Sequence, residues 1–328
     1  MALLPGGGSA LVTQKSGKLW LVSLSDGKKV EVTGVPQLAY GGQGGFGDVR
    51  LAPDFATTAQ VYLTWVEAGA NDTRGAVLGR ATLVQGSQPA LQGLEVLWRQ
   101  SPKVTGRGHF SHRIAFSPDG KYLFLSSGDR QKFTPAQDLK VNLGKVLRLD
   151  LNGKAAAGNP FPDKGGVSAE IWSYGHRNVL GLAFDSQGRL WDLEHGPAGG
   201  DEINLVKPGQ NYGWPLVSNG DHYDGKAIPR HATRPDLAAP AISWNPVIAP
   251  GDFLFYSGKL WPEWKDQALI AGLGSGGLVR VSVQGETMRE EARYPLGNRI
   301  RELREAPDGS LYVLEDGGEA KLIHLTRK

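Results

Sequence analysis

The sequence predicts an all-β fold, a six-bladed β-propeller of four-stranded antiparallel blades. One phrase, a Pro-Asp-Gly-like turn followed by a short run rich in Leu, Val, Tyr, Phe or Trp, recurs six times along the chain. Each interval of about 50 to 70 residues holds apolar runs for about four strands, as one blade requires. Glycine, with 46 of 328 residues, is scattered over turn positions. Closing six blades into a ring protects the strand edges that an open array exposes.

The six copies of the phrase follow one another along the chain and define the blades. In the first, the runs ALVTQ, KLWLVSL and KKVEVTG predict three successive strands. Three connections are longer than a blade needs, and we expect them to be functional loops on one face: 69–74, 153–167 and 219–239. Because DG turns occur in any β protein, a pair of β-sandwiches stays the alternative. The copies lie at residues 5–12, 53–65, 118–126, 185–193, 255–272 and 307–314.

Composition limits the possible partners. With 328 residues and 40% hydrophobic side chains, the chain can bury a large core, and we expect one propeller domain over 1–328. A net charge of +3 without a basic cluster disfavours nucleic acid. The absence of cysteine excludes disulfides and thiolate zinc sites.

No apolar run approaches the roughly 20 residues of a membrane span, and no signal peptide is visible. The first residues already read as turn and strand, which leaves open a missing short N-terminal segment.

His109 and Asp129 form the first candidate catalytic pair. His109 precedes the run IAF, which we assign to the second strand of a blade, and Asp129 follows the strand LFLSS. The two side chains can meet across the loop ends of a hairpin, where the carboxylate would fix the imidazole tautomer. A histidine held in this way can act as a general base near neutral pH. A histidine that merely caps a loop is the competing interpretation.

Four further residues predict an anion site. Arg177 and Asn178 interrupt an apolar strand and turn, which is costly unless the guanidinium finds an anionic or carbonyl partner. Arg299 and Arg301 stand at alternate positions, so they share one face of a strand and suit a polycarboxylate. The competing interpretations are an arginine that bridges blades and a solvated strand face.

Two glycine-rich segments complete the candidate site. Gln43 stands among four glycines in YGGQGGFGD, where its amide can bind an alcohol or a quinone oxygen or serve as a turn residue. The segment EHGPAGGDEINLVKPGQNYGWP, 194–215, places the carboxylates of Asp201 and Glu202 near a loop whose carbonyls have no strand partner. Hard oxygen ligands of this kind suit calcium.

Read together and in order, these segments resemble the soluble quinoprotein aldose sugar dehydrogenases, which include soluble glucose dehydrogenase. The resemblance covers nearly the whole chain through GGQGGFGDVRLAPDF, GHFSHRIAFSPDG, AQDLKVNLGKVLRLD, EIWSYGHRNVLGLAF, EHGPAGGDEINL with NYGWP, and NRIRELREAPDGSLYVL. It implies a six-bladed propeller with pyrroloquinoline quinone (PQQ) and calcium. It also implies a periplasmic or extracellular location and a monomer or homodimer.

The resemblance also implies a role for each candidate residue. His109 matches the base that takes the proton of the sugar C1 hydroxyl, Asp129 the carboxylate that orients it, and Gln43 an amide near the reacting centre. The residues that match those holding the carboxylates and quinone oxygens of PQQ are Arg177, Asn178, Arg299 and Arg301. The carbonyls of Gly196 and Pro197 match ligands of the cofactor calcium. Glu202 and Tyr212 match ligands of a second, structural calcium.

The sequence departs from the family pattern at three places. Ser111, His112 and Arg113 replace a Gly-Gly-Arg phrase beside the base, and Gly108 stands where relatives have Asp or Asn. Gly274, in LIAGLGSGGLVRV, occupies the place of an expected lysine. Loss of that cation would weaken the binding of a triply anionic cofactor by about 1 to 3 kcal/mol.

The resemblance therefore implies an oxidoreductase that converts aldoses to lactones and passes electrons to an acceptor that the sequence does not identify. The absence of GxGxxG, P-loop and GxSxG motifs disfavours nicotinamide, ATP and serine-hydrolase chemistry. The alternative is a non-catalytic, calcium-stabilised propeller that binds sugar or protein and has lost PQQ.

Overall fold

The fold is a six-bladed β-propeller, in agreement with the prediction. The structure is a computed structural model that describes residues 1–327. The chain divides into two compact units, Met1–Trp172 and Ser173–Lys328. Whether these units behave as one domain stays a prediction. Within 1–327, no helix combines the length and apolar character needed to cross a membrane.

The first unit contains two four-stranded antiparallel sheets and all but the last two residues of a third, and in each sheet every strand pairs with its neighbour in sequence. The strands of the first sheet are β1 (Ala2–Leu3), β2 (Ser9–Gln14), β3 (Lys18–Ser23) and β4 (Lys29–Val32). Those of the second are β5 (Phe46–Leu51), β6 (Gln60–Ala68), β7 (Arg74–Val84) and β8 (Ala90–Arg99). Those of the third are β9 (Ser111–Phe116), β10 (Tyr122–Ser127), β11 (Lys145–Asp150) and β12 (Ile171–Tyr174).

The second unit contains two four-stranded sheets and, among the described residues, a last sheet of three strands. The fourth sheet consists of β13 (Val179–Phe184), β14 (Leu190–Glu194), β15 (Asp201–Leu205) and β16 (Ile242–Trp244). The fifth consists of β17 (Pro250–Phe255), β18 (Ala268–Gly272), β19 (Gly277–Gln284) and β20 (Thr287–Pro295). The sixth consists of β21 (Ile300–Glu305), β22 (Leu311–Glu315) and β23 (Leu322–Leu325).

Helical structure is confined to single turns in the connections. They are one α-helical turn, α1 (Phe55–Thr58), and 3₁₀ turns at Thr134–Gln137, Ser168–Glu170, His231–Thr233 and Pro262–Trp264. The long connections predicted at 69–74, 153–167 and 219–239 follow β6, β11 and β15. The first ends at Arg74, which already belongs to β7.

The recurring phrase marks the same place in every sheet, the turn into the second strand. In the third sheet, Asp119 accepts the Ser117 hydroxyl at 2.6 Å, and Gly120 takes a φ of +69°, which favours glycine. One assignment was wrong: the run IAF lies in β9, the first strand of its sheet, because the phrase follows it instead of preceding it. His109 thus lies just before a first strand.

Apolar side chains from facing sheets form the cores within each unit. In the first unit, Leu11, Leu19, Val49 and Leu63 are fully buried in one cluster. In the second unit, every residue of β14 and β18 is buried. The outermost strand β20 is instead exposed or half-buried except at Met288. The inner strands are therefore the rigid base from which the site loops project.

Candidate active site

His109 and Asp129 lie together in the first unit, at the ends of two paired strands. Ser111 and Ser127 face each other in the β9–β10 pair, so the residues just beyond them meet. His109 Nδ1 is 2.7 Å from Asp129 Oδ1, and both side chains are buried. Because the carboxylate only accepts hydrogen bonds, this contact favours a proton on Nδ1 and leaves the lone pair on Nε2. The pair has the geometry of a base and its orienting group.

Gln43 fixes the backbone of the same histidine. Its Oε1 accepts the main-chain N–H of His109 at 2.7 Å, so the amide holds the loop that carries His109. His109 itself has a φ of +48°. A residue with a Cβ costs roughly 1–2 kcal/mol in this region, and such strain persists only where surrounding contacts impose it.

Two departures from the family pattern are accommodated in this loop. The buried His112 ring lies where a Cβ on Gly47 would stand, since that atom would be 1.9 Å from His112 Cε1. A Cβ at Gly108 would lie 2.4 Å from Gln131 Oε1. The side-chain amide of Gln131 therefore occupies the space that a side chain at 108 would need.

Arg177 and Asn178 lie in the second unit, in the loop between β12 and β13. Arg177 Nη1 donates to the His195 carbonyl at 3.1 Å, and its guanidinium lies 5.2 Å from the Trp214 ring centroid and 5.9 Å from that of Tyr223. Arg177 Nε is buried and has no hydrogen-bond acceptor among residues 1–327. An unpaired buried donor on a cation suits an anionic ligand.

An open cleft lies beside Arg177, and the four predicted calcium-binding residues line it together. The carbonyls of Gly196 and Pro197 receive no hydrogen bond from any residue in 1–327. Their loop is held by Asp201, which accepts the N–H groups of Gly196 at 2.9 Å and Ala249 at 2.7 Å. The lining consists of Arg177, Glu194, His195, Gly196, Pro197, Gly200, Glu202, Tyr212, Trp214, Val217, Ser218 and His231.

Glu202 belongs to a buried acidic group on the β14–β15 pair. Glu202 stands directly opposite Glu194, and Asn204 opposite Asp192. Burial and the neighbouring charge of Glu194 raise the pKa of Glu202 well above its ordinary value. Like charges directly across a sheet are unfavourable without a cation between or beside them.

His176 supplies part of the balancing charge. Its Nδ1 is 3.1 Å from both Asp192 Oδ2 and Glu194 Oε1, and these three residues are close enough to share one ion. Burial lowers the pKa of His176, but the carboxylates of Asp192 and Glu194 outweigh it and raise that pKa to about 9. Glu194 in turn accepts the main-chain N–H groups of Arg177 at 2.6 Å and Asn178 at 3.2 Å.

Tyr212 lines the cleft, and its main-chain carbonyl is the oxygen that could bind a metal there. Its hydroxyl donates to the Leu205 carbonyl at 2.5 Å and accepts the Lys207 N–H at 2.9 Å, so that oxygen is engaged. Its carbonyl receives no hydrogen bond from the described part of the chain. A ligand role for Tyr212 is therefore a role for its carbonyl oxygen.

Arg299 and Arg301 converge on one acid, Asp316. The Nε atoms of both arginines donate to Asp316 at 3.1 Å. Burial raises the pKa of Asp316, but the charge of Arg301 and the hydrogen bond from Arg299 lower it overall. The two guanidinium groups thus meet at one carboxylate, although Arg299 precedes β21 and the β21–β22 register shifts between Ile300 and Glu302.

Gly274 stands where a side chain would meet backbone. Its N–H donates to the Ile248 carbonyl at 2.9 Å, and a Cβ would lie 2.9 Å from that oxygen and 3.1 Å from Ala249 Cβ. A lysine at 274 requires this turn to move. The glycine is therefore explained by local packing.

Sequence reasoning missed Glu194, Trp214, Tyr223 and Asp316 as parts of the site. The sequence does contain a signal for Glu194, because this charged residue ends the buried strand LWDLE. Tyr223, 78% exposed, and Asp316 lie in connections whose path no local pattern encodes.

Comparison with known proteins identifies the family of this chain. The family model "Glucose / Sorbosone dehydrogenase" matches residues 1–324. The chain belongs to the glucose/sorbosone dehydrogenase family. Within that family it is 36% identical to aldose sugar dehydrogenase YliI of Escherichia coli K12 over 334 residues, 99% of this chain and 89% of that protein.

Solved structures extend the likeness. The crystal structure of the soluble E. coli aldose sugar dehydrogenase in its apo-form has a TM-score of 0.93 at 35% identity, covering 100% of this chain and 95% of the other. The PQQ-bound aldose sugar dehydrogenase of Streptomyces coelicolor has a TM-score of 0.81 at 28% identity, covering 99% and 92%. This glucose/sorbosone dehydrogenase chain therefore has a relative that binds PQQ on the same fold.

Proposed function

We propose that this protein oxidises the C1 hydroxyl of aldose sugars to the lactone with PQQ and calcium, and that His109 is the general base. The observation that carries the proposal is the buried His109–Asp129 pair, 2.7 Å apart, in a chain of a sugar dehydrogenase family. A PQQ-bound relative at 28% identity supports the cofactor. It also favours the enzyme over the non-catalytic propeller.

The cofactor fits the residues of the second unit. Arg177, with its unpaired buried Nε, and Asn178 would hold acidic or quinone oxygens. Arg299 and Arg301 already bind one carboxylate, that of Asp316, and would hold those of PQQ.

Calcium fits the oxygen ligands of the cleft. The unbonded carbonyls of Gly196 and Pro197 would bind the cofactor calcium, and Glu202 with the Tyr212 carbonyl would bind the second one. PQQ, when bound, supplies the hydride acceptor.

The chain's own contribution is proton transfer and orientation. The sugar C1 hydroxyl loses its proton to His109 Nε2 as the C1 hydrogen leaves with its electron pair, so the C1–O single bond becomes the lactone carbonyl. Asp129 holds the imidazole in the required tautomer and stabilises its charged form. Gln43 keeps the strained loop in place through the His109 N–H. We place the protein in the periplasm or outside the cell, with an external carrier as electron acceptor.

The test is dye reduction by the purified protein with glucose and other aldoses, with and without added PQQ and calcium. We expect activity only with PQQ, and a kcat lower by about 10²- to 10⁴-fold in His109→Ala. His324→Gln, at a histidine in β23 outside the proposed site, serves as control and should retain wild-type kcat. Activity without PQQ, or a fully active His109→Ala variant, would overturn the proposal.

A further inference from the structure

Arg130 is a buried cation next to Asp129 with no role in the chemistry described above. We propose that Arg130 is a positioning residue, which holds the main chain on both sides of His109 so that the imidazole faces the sugar hydroxyl. The inference rests on the proposed function, because it assumes that His109 is the base.

The guanidinium of Arg130 makes three hydrogen bonds, all to main-chain carbonyls. Nε donates to Gly108 at 2.8 Å and Nη2 to Gly106 at 2.6 Å, both in the segment that leads into His109. Nη1 donates at 2.6 Å to Arg74, the first residue of β7. The loop of the base is thereby tied to a strand of the neighbouring sheet.

The other side of His109 is held by stacking. The Arg130 guanidinium carbon lies 3.7 Å from the ring centroid of Phe110, the residue that follows the base. Arg130 thus contacts the residue before His109 through a carbonyl and the residue after it through a ring. The main-chain N–H of Arg130 also donates to the His109 carbonyl, at 3.3 Å.

The backbone that Arg130 holds does not adopt this form by itself. His109 has a φ of +48° and Arg130 a φ of +56°, both in the left-handed region that non-glycine residues avoid. Gly128 permits the close approach of the two loops, since a Cβ there would lie 2.0 Å from the His109 carbonyl oxygen. Strained conformations of this kind persist where surrounding contacts over-determine them.

Filling space does not account for an arginine at this position. The residue is 1% exposed, and burial, partly offset by the charge of Asp129, lowers its pKa to about 10, so it stays charged at neutral pH. A buried charge whose hydrogen bonds all go to carbonyls is costly, and an apolar side chain would fill the volume at less cost. A lysine ammonium can also bind three carbonyls, as Lys145 does, but only the planar guanidinium holds its donors in a fixed fork and stacks flat on a ring.

The test compares Arg130→Lys and Arg130→Met with wild type, each saturated with PQQ and calcium. We expect kcat to fall roughly 10- to 100-fold, because displacement of a catalytic group by about 1 Å has an effect of that size. KM for glucose and the PQQ concentration for half-activation should stay within about threefold, since the binding residues are untouched. A purely structural role would lower the melting temperature and leave kcat per folded molecule unchanged.

Arg148→Lys is the matched control. Arg148, a half-buried arginine of the first unit, likewise binds a main-chain carbonyl, that of Ala157 at 2.7 Å, and stacks on an aromatic ring, that of Trp172 at 4.3 Å. Within the described residues, its hydrogen bonds and ring contacts are all outside the loop that carries His109. We expect Arg148→Lys to lower stability and to keep wild-type kcat.

Phe110→Leu provides an independent measurement should the Arg130 variants not fold. It removes the ring beneath the guanidinium, and a loss of kcat of about two- to fivefold corresponds to a cation–π contact of this kind. Wild-type kcat in folded Arg130→Lys or in Phe110→Leu, together with an inactive His109→Ala, would overturn this inference alone. A fully active His109→Ala would instead overturn the proposed function.

Discussion

At the scale of single residues, the loop around His109 holds two buried histidines in different surroundings. His109 faces the carboxylate of Asp129, whereas the ring of His112 is buried near the Thr64 hydroxyl, with Nδ1 2.9 Å from Oγ1. Burial and the charge of Arg113 lower the pKa of His112 from 6.5 to about 4. Two histidines three positions apart thus have different direct partners, a carboxylate for His109 and a hydroxyl for His112.

The buried His112 predicts an acid-sensitive stability. Between pH 6.5 and pH 4 the unfolded chain binds a proton at this residue that the folded protein does not, so stability is lost as the pH falls through that range. The full effect is about 3 kcal/mol. We expect urea unfolding of His112→Asn to show a smaller decrease of the free energy of unfolding from pH 7 to pH 4.5 than wild type. Parallel curves for the two proteins would contradict the assignment.

The residues that sequence predicted are those fixed by strand ends. His109 and Asp129 border two strands of one hairpin, so their meeting follows from the register of β9 with β10. Arg130 follows the same strand but could not be given a role, since its three carbonyl partners become neighbours only after folding. Asp316 is hidden from sequence for the same reason.

At the scale of elements, the pairing of β14 with β15 determines which of two adjacent acids, Asp201 or Glu202, lines the cleft. The side chains of adjacent residues on a strand point to opposite faces of the sheet, so those of Asp201 and Glu202 lie on opposite faces. Asp201 accepts two main-chain N–H groups and fixes the Gly196 loop, while Glu202 joins Glu194 on the other face. The sequence placed a carboxylate pair here, and strand alternation gives its two members different roles.

This arrangement predicts that calcium stabilises the protein through Glu202. In EDTA, Glu202→Gln should be more stable than wild type by up to about 1 kcal/mol, because one of two opposed carboxylates loses its charge. With calcium at about 100 times its dissociation constant, wild type should gain about 2.7 kcal/mol and the variant much less. Thermal unfolding with EDTA or calcium measures both effects.

Glu263→Gln, at an exposed acid that pairs with Arg327, is the control for this prediction. It should respond to calcium like wild type. An equal calcium response in Glu202→Gln would remove Glu202 from the metal site while leaving the proposed role of His109 untouched.

At the scale of the whole molecule, the six-fold repeat is what made the fold predictable. Each copy of the phrase marks the second strand of one sheet, so the number of copies gives the number of sheets. The number of strands in the last sheet could not be read in this way. Its three strands, β21 to β23, end at Leu325, and no turn phrase distinguishes three strands from four.

The same repeat predicts that residues 1–328 unfold as one domain. The family model spans 1–324 without a break, and strand β12, Ile171–Tyr174, includes residues on both sides of the division after Trp172. A closed propeller leaves no sheet edge free to unfold independently. We therefore expect a single unfolding transition in urea. Hydrogen exchange measured by mass spectrometry on peptides from both units should give the same midpoint for each unit. Two midpoints would show that the two units are separate domains, because independently stable domains unfold in separate transitions.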